Sequence, residues 1–171
     1  DSAFYDLASF KKGKTSLMPI ELDELGNVQG KTLLHLQCHF GMDTLSWERE
    51  GAIVTGVDIS DEAIRLANEV RDELGLKAEF IRSNVYDLEA QLDKQFDIVF
   101  TSYGTIGWLP DLDRWAGVVS HFLKPGGTFY MADFHPVLWM MDESFERIKY
   151  DYFNTAVITE EISGTYSDRD A

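Results

Sequence analysis

The chain alternates short apolar segments with segments of helical periodicity, and this alternation constrains its fold more than any other feature. The apolar segments are rich in Leu, Val, Ile and Phe, which favour buried strands. Strands joined by helical connections form parallel sheets with helices on both faces. We therefore predict an α/β fold with a doubly wound, mainly parallel sheet. The five predicted strands are residues 32–38, 53–57, 79–82, 96–101 and 128–132.

The stretch 60–75, SDEAIRLANEVRDELG, predicts the clearest helix. Asp61 and Glu62 fall in its first turn, where negative charge complements the helix dipole, and Gly75 is placed to end it. Its apolar side chains recur at spacings of three and four residues, so they form one buried stripe. The stripe consists of Ala63, Ile64, Ala67, Val70 and Leu74.

Two further segments also predict helices. Residues 111–124 carry a similar stripe, and they are followed by Pro125 and Gly126, which suit the centre of a type II turn into the last strand. Near the N-terminus, Pro19 lies at a helix start and Gly26 just past the helix end. The stripe of the later helix consists of Leu112, Trp115, Val118 or Val119, and Phe122.

The strength of these patterns divides the chain into three parts. Residues 1–30 predict a helical lead-in or cap, and residues 31–136 form the predicted core. In residues 137–171 the pattern weakens, and YFNTAVITEEISGTY fits either a hairpin or a lid. The last residues, GTYSDRDA, are a polar run with no closing element. We therefore expect the native protein to continue past Ala171.

The composition disfavours several classes of function. The 15 basic and 30 acidic residues give a net charge of -15, which repels a phosphate backbone, so we expect no nucleic-acid partner. The only cysteine, Cys38, cannot form an internal disulfide, and no signal segment or long apolar run is present. These features predict a cytoplasmic protein with no membrane contact. The four histidines and the cysteine lack metal-ligand spacing, so we predict no metal.

Polar groups follow the first four predicted strands, at the carboxyl ends where open parallel sheets bind ligands. The turn QCHFGMDT after the first strand offers backbone N–H groups and a helix start to an anionic group. Asp58 ends the second strand and suits the two hydroxyls of a ribose. Asn84 follows the third strand and suits an adenine edge, and the long connection TSYGTIGWLPD follows the fourth. These groups predict one ligand site.

From residue 31 to residue 136 the chain resembles the class I S-adenosylmethionine-dependent methyltransferases. FDIVFTSYGTIGWLPD and LKPGGTFYMADFHP are similar to the motifs at that family's fourth and fifth strands, and neither motif is expected of a dehydrogenase. The family's first motif, an acid and three alternate glycines, aligns on His35, Gln37, His39 and Gly41. The likeness is closer to a subgroup in which LHLQCHFGMDTLSW replaces the glycine motif, usually with a second strand like GVDIS.

The resemblance implies a Rossmann-like fold, S-adenosylmethionine as cofactor, S-adenosylhomocysteine as product and a small-molecule methyl acceptor. It implies that Gly41 passes closest to the cofactor and that Gln37 or His39 contacts its methionine part. It also implies a helix and an antiparallel strand pair after the fifth strand, which would lie beyond Ala171. The residues placed at the cofactor are Gln37, His39, Gly41, Asp58, Ile59, Asn84, Val85, Thr101 and Tyr103.

The first motif departs from the family at three positions. His35 replaces an acid, and Gln37 and His39 carry side chains where glycine allows a ligand to approach the backbone closely. We therefore expect the methionine part of the cofactor to be held in a different way. Asp43 and Thr44 are placed to cap the helix that follows the turn.

Methyl transfer from a sulfonium depends mainly on positioning and on the exclusion of water. A general base is needed only where the acceptor must lose a proton, and the candidates are His135, His39 and Tyr103. The resemblance implies that the N-terminal segment, including Tyr5, covers the cofactor. Trp108, in the connection after the fourth strand, is a candidate wall of the pocket.

Several of these residues also have simpler interpretations. His35 fits a core histidine bonded to the backbone as well as it fits a cofactor contact, and Asp58 could cap the next helix instead of binding a ribose. Cys38 is interpreted as a small core residue because no neighbouring residue in the sequence marks it as activated. His121 is interpreted as a surface or packing residue, and Trp115 as part of the core.

Two other functions stay open. The first is a protein that binds S-adenosylmethionine without catalysis, or a structural partner, which the eroded glycine motif and the lack of a clear base favour. The second is a nicotinamide-dependent oxidoreductase with Asp58 as its ribose acid. This second function is disfavoured because no Gly-x-Gly-x-x-Gly follows the first strand. The methyl acceptor, the atom methylated and the oligomeric state are left open as well.

Overall fold

The computed structural model describes residues 5–142, 144–157 and 159. They belong to two compact units. One unit consists of residues 10–133, and the other combines the residues before 10 with those after 133. From residue 10 onward, the helical lead-in therefore groups with the sheet.

A five-stranded parallel sheet forms the centre of the first unit, in the order β3-β2-β1-β4-β5. The strands are β1 Thr32–Leu36, β2 Ile53–Asp58, β3 Glu79–Arg82, β4 Phe96–Ser102 and β5 Leu123–Ala132. The strand order reverses beside β1, whose Leu33 pairs with Val54 on one side and Ile98 on the other. This is the predicted Rossmann-like fold, and the crevice beside β1 is where such a sheet holds a ligand.

The first strand is shorter than predicted. It ends at Leu36 because Gln37 adopts a φ of 56° and leaves the extended conformation. Cys38, which was assigned to the strand, therefore belongs to the turn. Its backbone N–H still donates to the carbonyl of Val57 at 2.9 Å, so the turn stays attached to β2.

The fifth strand is longer than predicted and starts at Leu123. The predicted turn lies inside it as a bulge, because the pairing with β4 shifts register between Phe96 and Ile98. Gly126 lies in this bulge with a φ of 80°, the value expected for the third residue of a type II turn.

The helices of the first unit flank the sheet, and the described residues also form three short 3₁₀ helices. The α-helices are α1 Leu7–Lys11, α2 Pro19–Leu25, α3 Met42–Arg49, α4 Asp61–Leu74 and α5 Leu112–Phe122. The 3₁₀ helices are Val85–Ala90, Ile106–Trp108 and Pro136–Met140. The predicted bounds of α2 and α4 are confirmed. Ser60 caps α4 by accepting the N–H of Ala63 at 3.2 Å, and Gly75 ends it.

Hydrophobic residues fill both faces of the sheet because strand side chains alternate between them. On one face, α5 and the helix Val85–Ala90 pack against β1, β2 and β4 through Leu34, Leu36, Val57, Leu88, Val99, Trp115 and Phe122. The core assignment of Trp115 is confirmed. The alternating positions of β4 face the other way, where Phe100 contacts Trp47 edge-on and stacks on Tyr130.

The second unit holds little regular structure in its described residues. Beyond the helix Pro136–Met140, an antiparallel bridge joins Met141 to Ile148. The stretch 152–166, for which a hairpin or a lid is expected, lies outside the described residues at 158 and 160–166. Throughout the described chain, no helix has the length and apolarity needed to cross a membrane.

Candidate functional site

The turn after β1 lies at the point where the strand order reverses, beside the end of β2. Three of its residues have left-handed backbone, with φ of 56° at Gln37, 51° at His39 and 79° at Gly41. Such a conformation costs roughly 1–3 kcal/mol for a residue with a side chain and persists only where the surrounding contacts fix it. The turn therefore keeps the sharp backbone of a glycine-rich loop, although two of the usual glycines are missing.

Asp58, the last residue of β2, holds this turn in place. One carboxylate oxygen accepts the backbone N–H of His39 at 2.7 Å, and the other accepts the backbone N–H of Ser60 at 2.9 Å. Because Ser60 itself caps α4, Asp58 supports the start of that helix without capping it directly. The acid therefore joins the ends of two neighbouring strands.

Gly41 is required by packing as well as by its backbone. A Cβ atom added there would lie 2.5 Å from the ring of Phe80 and 3.3 Å from the Cβ of Ala67. Contacts of 2.5 Å do not occur between real side chains. The space beside Gly41 is thus filled by the protein itself.

The side chains of Gln37 and His39 extend from the turn. The Gln37 amide donates from Nε2 to the carbonyl of Thr105 at 3.1 Å, while its buried Oε1 has no hydrogen-bond partner among the described residues. Desolvation lowers the pKa of His39 more than the charge of Asp58 raises it, so the imidazole is neutral at pH 7. An unused buried acceptor and a neutral imidazole therefore border the turn.

His35 is a core histidine. It is 3% exposed, its Nδ1 lies 2.8 Å from the hydroxyl of Thr44, and its ring meets Phe100 edge-on. Burial lowers the pKa of His35 to about 3, which keeps the ring neutral. The partner of His35 is thus a side-chain hydroxyl and not the backbone, and no charge stands where the family places its acid.

The prediction that Asp43 and Thr44 cap α3 is wrong. Gly41 is the N-cap residue of that helix, and no side chain caps it. Asp43 instead accepts the hydroxyls of Ser16 at 2.6 Å and Ser102 at 3.1 Å, while Thr44 is bonded to His35. Burial raises the pKa of Asp43. This carboxylate therefore links the segment before α2 to the end of β4.

The predicted adenine-side residues lie after β2 and β3. Ile59 follows Asp58 and is 61% exposed, which is unusual for so large an apolar side chain. Asn84 precedes the helix Val85–Ala90 and caps it, because its Oδ1 accepts the N–H of Tyr86 at 3.1 Å. Val85 is buried at the start of that helix. Since the Asn84 oxygen is engaged, its amide NH₂ is the group that suits a ligand acceptor.

Thr101 lies under the connection that follows β4. It is fully buried, and its hydroxyl lies 3.0 Å from that of Thr105 and 3.4 Å from the carbonyl of Leu36. Its side chain therefore joins the ends of β1 and β4 beneath the surface.

Tyr103 follows β4 and is bonded to a residue that the sequence did not single out. Its φ is 48°, its side chain is 39% exposed, and its hydroxyl donates to Oε2 of Glu21. Glu21 is 0% exposed, and burial raises the pKa of its carboxyl group. One turn later in α2, Glu24 lies near the phenol of Tyr130 and, after burial, is the main cause that raises the pKa of that phenol. The bond from Tyr103 to Glu21 therefore attaches α2 to the end of β4, and a second acid and tyrosine pair faces β5.

The burial of Glu21 inverts the pattern expected of α2. Its neighbour Ile20 is 55% exposed, although the apolar residue should be the buried one. The only signal in the sequence is the position of Glu21, which is the third residue of a helix that begins at Pro19. Glu at that position often bonds back to the N-cap residue, which does not predict complete burial.

The remaining candidates lie elsewhere. His135 belongs to the second unit, where its Nδ1 accepts the N–H of Val137 at 3.2 Å at the start of a 3₁₀ helix. His121 is on the exposed side of α5, 3.9 Å from Glu89. Cys38 is buried, which raises the pKa of its thiol, so its interpretation as an inert core residue is confirmed. Within the described ranges, no cluster of His, Cys, Asp or Glu has the makings of a metal site.

The family model described as "Methyltransferase domain" matches residues 34–129, more than half of the chain. The match begins in β1 and ends in β5, so it covers the turn, Asp58 and Tyr103.

Curated relatives match a longer stretch. The chain is 28% identical over 135 residues to the ubiquinone biosynthesis O-methyltransferases of Salmonella arizonae and Salmonella typhimurium. The alignments cover 77% of this chain and 55% of each relative. The chain thus spans about half the length of the curated relatives it matches.

Solved structures share the architecture. The PH0226 protein of Pyrococcus horikoshii is 31% identical with a TM-score of 0.59, over 66% of this chain and 52% of that protein. An S-adenosylmethionine-dependent methyltransferase of Clostridium acetobutylicum has a TM-score of 0.58 at 23% identity, over 75% of this chain and 51% of its own. The second likeness concerns the fold alone.

Proposed function

Because the chain belongs to the methyltransferase domain family, we propose that it binds S-adenosylmethionine at the carboxyl edge of its sheet and transfers the methyl group to a small molecule. The observation that carries this proposal is the bond from the His39 amide to Asp58, which joins the turn after β1 to an acid at the end of β2. The acid proposed to bind the ribose is thus in direct contact with the turn proposed to face the cofactor.

Asp58 is proposed to accept the two ribose hydroxyls. Each of its oxygens receives one backbone N–H, and a carboxylate oxygen has two acceptor sites, so one site on each oxygen is left for a hydroxyl. The carboxylate is already oriented by the protein, so the bonds require no rearrangement of the side chain.

The turn is proposed to hold the methionine part. The unpartnered Oε1 of Gln37 is an acceptor for the ammonium group, and the neutral imidazole of His39 adds no charge to repel that group or the cationic sulfur. Gly41 is proposed to pass closest to the cofactor, which would meet bare backbone there because this residue has no side chain.

Ile59, Asn84 and Val85 are proposed to hold the adenine. Ile59 offers an exposed apolar surface for the base, and the NH₂ group of Asn84 suits a ring nitrogen. Thr101 stays in the proposed site through its support of the connection after β4, and Tyr103 through its exposed phenol. His135 remains a predicted base.

The cofactor, when bound, supplies a methyl group made electrophilic by its cationic sulfur. The protein has to orient the acceptor and keep water away. A small-molecule acceptor is supported by the name of the Salmonella relatives and by the net charge of -15, which disfavours nucleic acid.

A cytoplasmic setting is proposed because the only cysteine is kept as a buried thiol. Residues 137–171 are proposed to act as a lid or substrate-side segment.

Isothermal titration with S-adenosylhomocysteine, with NAD in a parallel cell, tests this proposal. We expect binding of the first ligand alone. Asp58→Ala should weaken that binding by roughly 1–3 kcal/mol, because it removes charge-assisted bonds to the ribose. Asp72→Ala, at the far end of α4, is the matched control and should bind like the wild type.

Either of two results would contradict the proposal. Binding of NAD in preference to S-adenosylhomocysteine would favour an oxidoreductase. Unchanged affinity in the Asp58→Ala variant would remove the ribose role of this acid.

A further inference from the structure

Glu21 and Tyr103 form a polar pair at the border of the proposed site, and Glu21 has no role in that site so far. The phenol of Tyr103 donates to Oε2 of Glu21, while Oε1 is buried without a hydrogen-bond partner among the described residues. A carboxylate that is removed from water and only partly bonded is less stable in its charged form. Glu21 is therefore poised to take up a proton.

Burial and the neighbouring groups act on Glu21 in opposite directions, and burial prevails. Burial is the largest influence and raises the pKa of the carboxyl group, and the charge of Asp43 in α3 raises it further. The Tyr103 hydroxyl and the backbone N–H groups of Met18 and Glu21 lower it by less. From β5, Tyr130 faces the same region, and the charges of Glu24 and Glu21 help to raise the pKa of its phenol.

Tyr103 connects this buried acid to the surface. Its side chain is 39% exposed, and its backbone N–H donates to the carbonyl of Ala132 at 2.7 Å, which fixes it at the carboxyl ends of β4 and β5. The pKa of Tyr103 is raised, chiefly by desolvation and then by Glu21, so the phenol keeps its proton at neutral pH. A phenol oxygen can donate one hydrogen bond and accept another at the same time.

We propose that Glu21 and Tyr103 act as a proton relay, and that the methyl acceptor is a protic group such as a hydroxyl or an ammonium. This inference rests on the proposed function. As the acceptor loses its proton to the Tyr103 oxygen, the Tyr103 proton passes to Oε2 of Glu21. The freed electron pair forms the new bond to the methyl carbon, and the carbon–sulfur bond breaks with its electrons left on sulfur.

Charge balances in this step. The positive charge of the sulfonium and the negative charge of Glu21 both disappear, leaving a neutral thioether and a neutral carboxylic acid. In a dry site this is favourable, because neither product charge has to be solvated. Tyr103 is regenerated unchanged, and Glu21 returns its proton to water after the product leaves.

The same helix supplies a matched control. Glu24 and Tyr130 repeat the acid and tyrosine contact one turn later, but Tyr130 is only 8% exposed. Its phenol is therefore shielded from an acceptor, although this pair also lies between α2 and the sheet. Glu24→Gln disturbs only the contact between α2 and the sheet, whereas Glu21→Gln disturbs that contact and removes the proposed proton acceptor.

The experiment follows the labelled methyl group of S-adenosylmethionine into four probes across pH 5–9. Catechol and ethanolamine have a proton to lose, whereas pyridine and dimethyl sulfide have none at the attacked atom. S-adenosylhomocysteine affinity is measured for every variant. We expect transfer to a protic probe, about a 100-fold loss in Glu21→Gln and in Tyr103→Phe, and near wild-type transfer in Glu24→Gln. The acidic limb of the pH profile should vanish with Glu21.

A titration of carboxyl groups by ¹³C NMR gives a readout besides turnover. One glutamate should titrate above the usual range, should be missing in Glu21→Gln, and should move further up in Tyr103→Phe because a stabilising bond to the charged form is lost. A normal titration of Glu21 would overturn the relay even if the Gln variant failed to fold.

The outcomes also separate this inference from the proposed function. If S-adenosylhomocysteine does not bind the wild type, the proposed function fails. If it binds, the relay is overturned by transfer only to pyridine or dimethyl sulfide, by no transfer to either protic probe, or by a Glu21→Gln variant that keeps its rate and acidic limb.

Discussion

At the scale of single residues, hydrogen bonds hold the turn after β1 in a backbone conformation that glycines usually provide. Gln37 and His39 hold left-handed backbone although both carry side chains. His39 is held by its bond to Asp58, and Gln37 by its bond to Thr105. Only Gly41 keeps the glycine of such a loop, and a side chain there would have to displace the Phe80 ring.

Gly41→Ala should therefore destabilise the protein. The added Cβ meets the Phe80 ring at 2.5 Å and is attached to a backbone with φ of 79°, so we expect a loss of roughly 2–4 kcal/mol from the free energy of unfolding. Urea denaturation followed by circular dichroism measures this loss. Gly75→Ala, in left-handed backbone with φ of 65° and no atom within 4 Å of the added Cβ, is the control and should cost only about 1 kcal/mol.

A second variant separates crowding from backbone strain at Gly41. Replacing Phe80 with Leu in the Gly41→Ala protein should recover part of the lost stability, since the shorter side chain leaves room for the Cβ. No recovery would mean that the cost lies in the backbone alone.

At the scale of secondary structure elements, Asp97 ties together the starts of three strands. Its carboxylate accepts the N–H and hydroxyl of Thr32 in β1 at 2.8 and 2.7 Å, and it pairs with Lys124 of β5 at 2.9 Å. These bonds favour the charged form and hold the pKa of Asp97 well below its usual value. These bonds therefore fix the edge where the strands begin, which is opposite the proposed site.

Asp97→Asn should lower the free energy of unfolding at pH 7 and make that free energy depend less on pH. A carboxyl group whose folded pKa is depressed stabilises the fold above the unfolded pKa of about 4, and loses that contribution as pH falls. Thermal unfolding from pH 2 to pH 7 measures the difference between the variant and the wild type. The gap between them should be widest at pH 7, and a gap independent of pH would contradict the role of the charge. Asp87→Asn, in an exposed pair, is the control.

The elements were more predictable than their ends and their contacts. The period of α4 and its terminal residues follow from local rules, so Asp61–Leu74 could be predicted from the sequence. The early end of β1 depends on Asp58 and Val57, which lie on another strand, and the bulge in β5 depends on pairing with β4. The burial of Glu21 depends on Tyr103, far along the chain, so no local pattern contains it.

At the scale of the whole molecule, the net charge of -15 acts against compactness. The structure adds to this by burying Glu21 and Asp43, so part of the negative charge cannot be screened by water. Ion pairs on α4, such as Arg65 with Glu62 and Glu69, offset only exposed charge.

Salt should therefore stabilise this chain. Raising sodium chloride from 0.02 M to 0.3 M shortens the screening length from about 20 Å to about 6 Å, which weakens repulsion between surface carboxylates. We expect Tm to rise by several degrees. Equal osmolality of glycerol serves as the control, and a Tm that falls with salt would show that attractive pairs dominate.

The fixed turn after β1 also has a thermodynamic consequence for ligand capture. Because Asp58 already holds His39 in its left-handed conformation, the conformational entropy of that backbone is lost during folding and not during association. A ligand that enters the crevice meets a receptor whose shape is preset, so recognition there is closer to lock-and-key than to induced fit. A rigid site of this kind selects ligands by excluding molecules whose shape does not match it. A flexible loop, in contrast, could adapt its conformation to many different ligands.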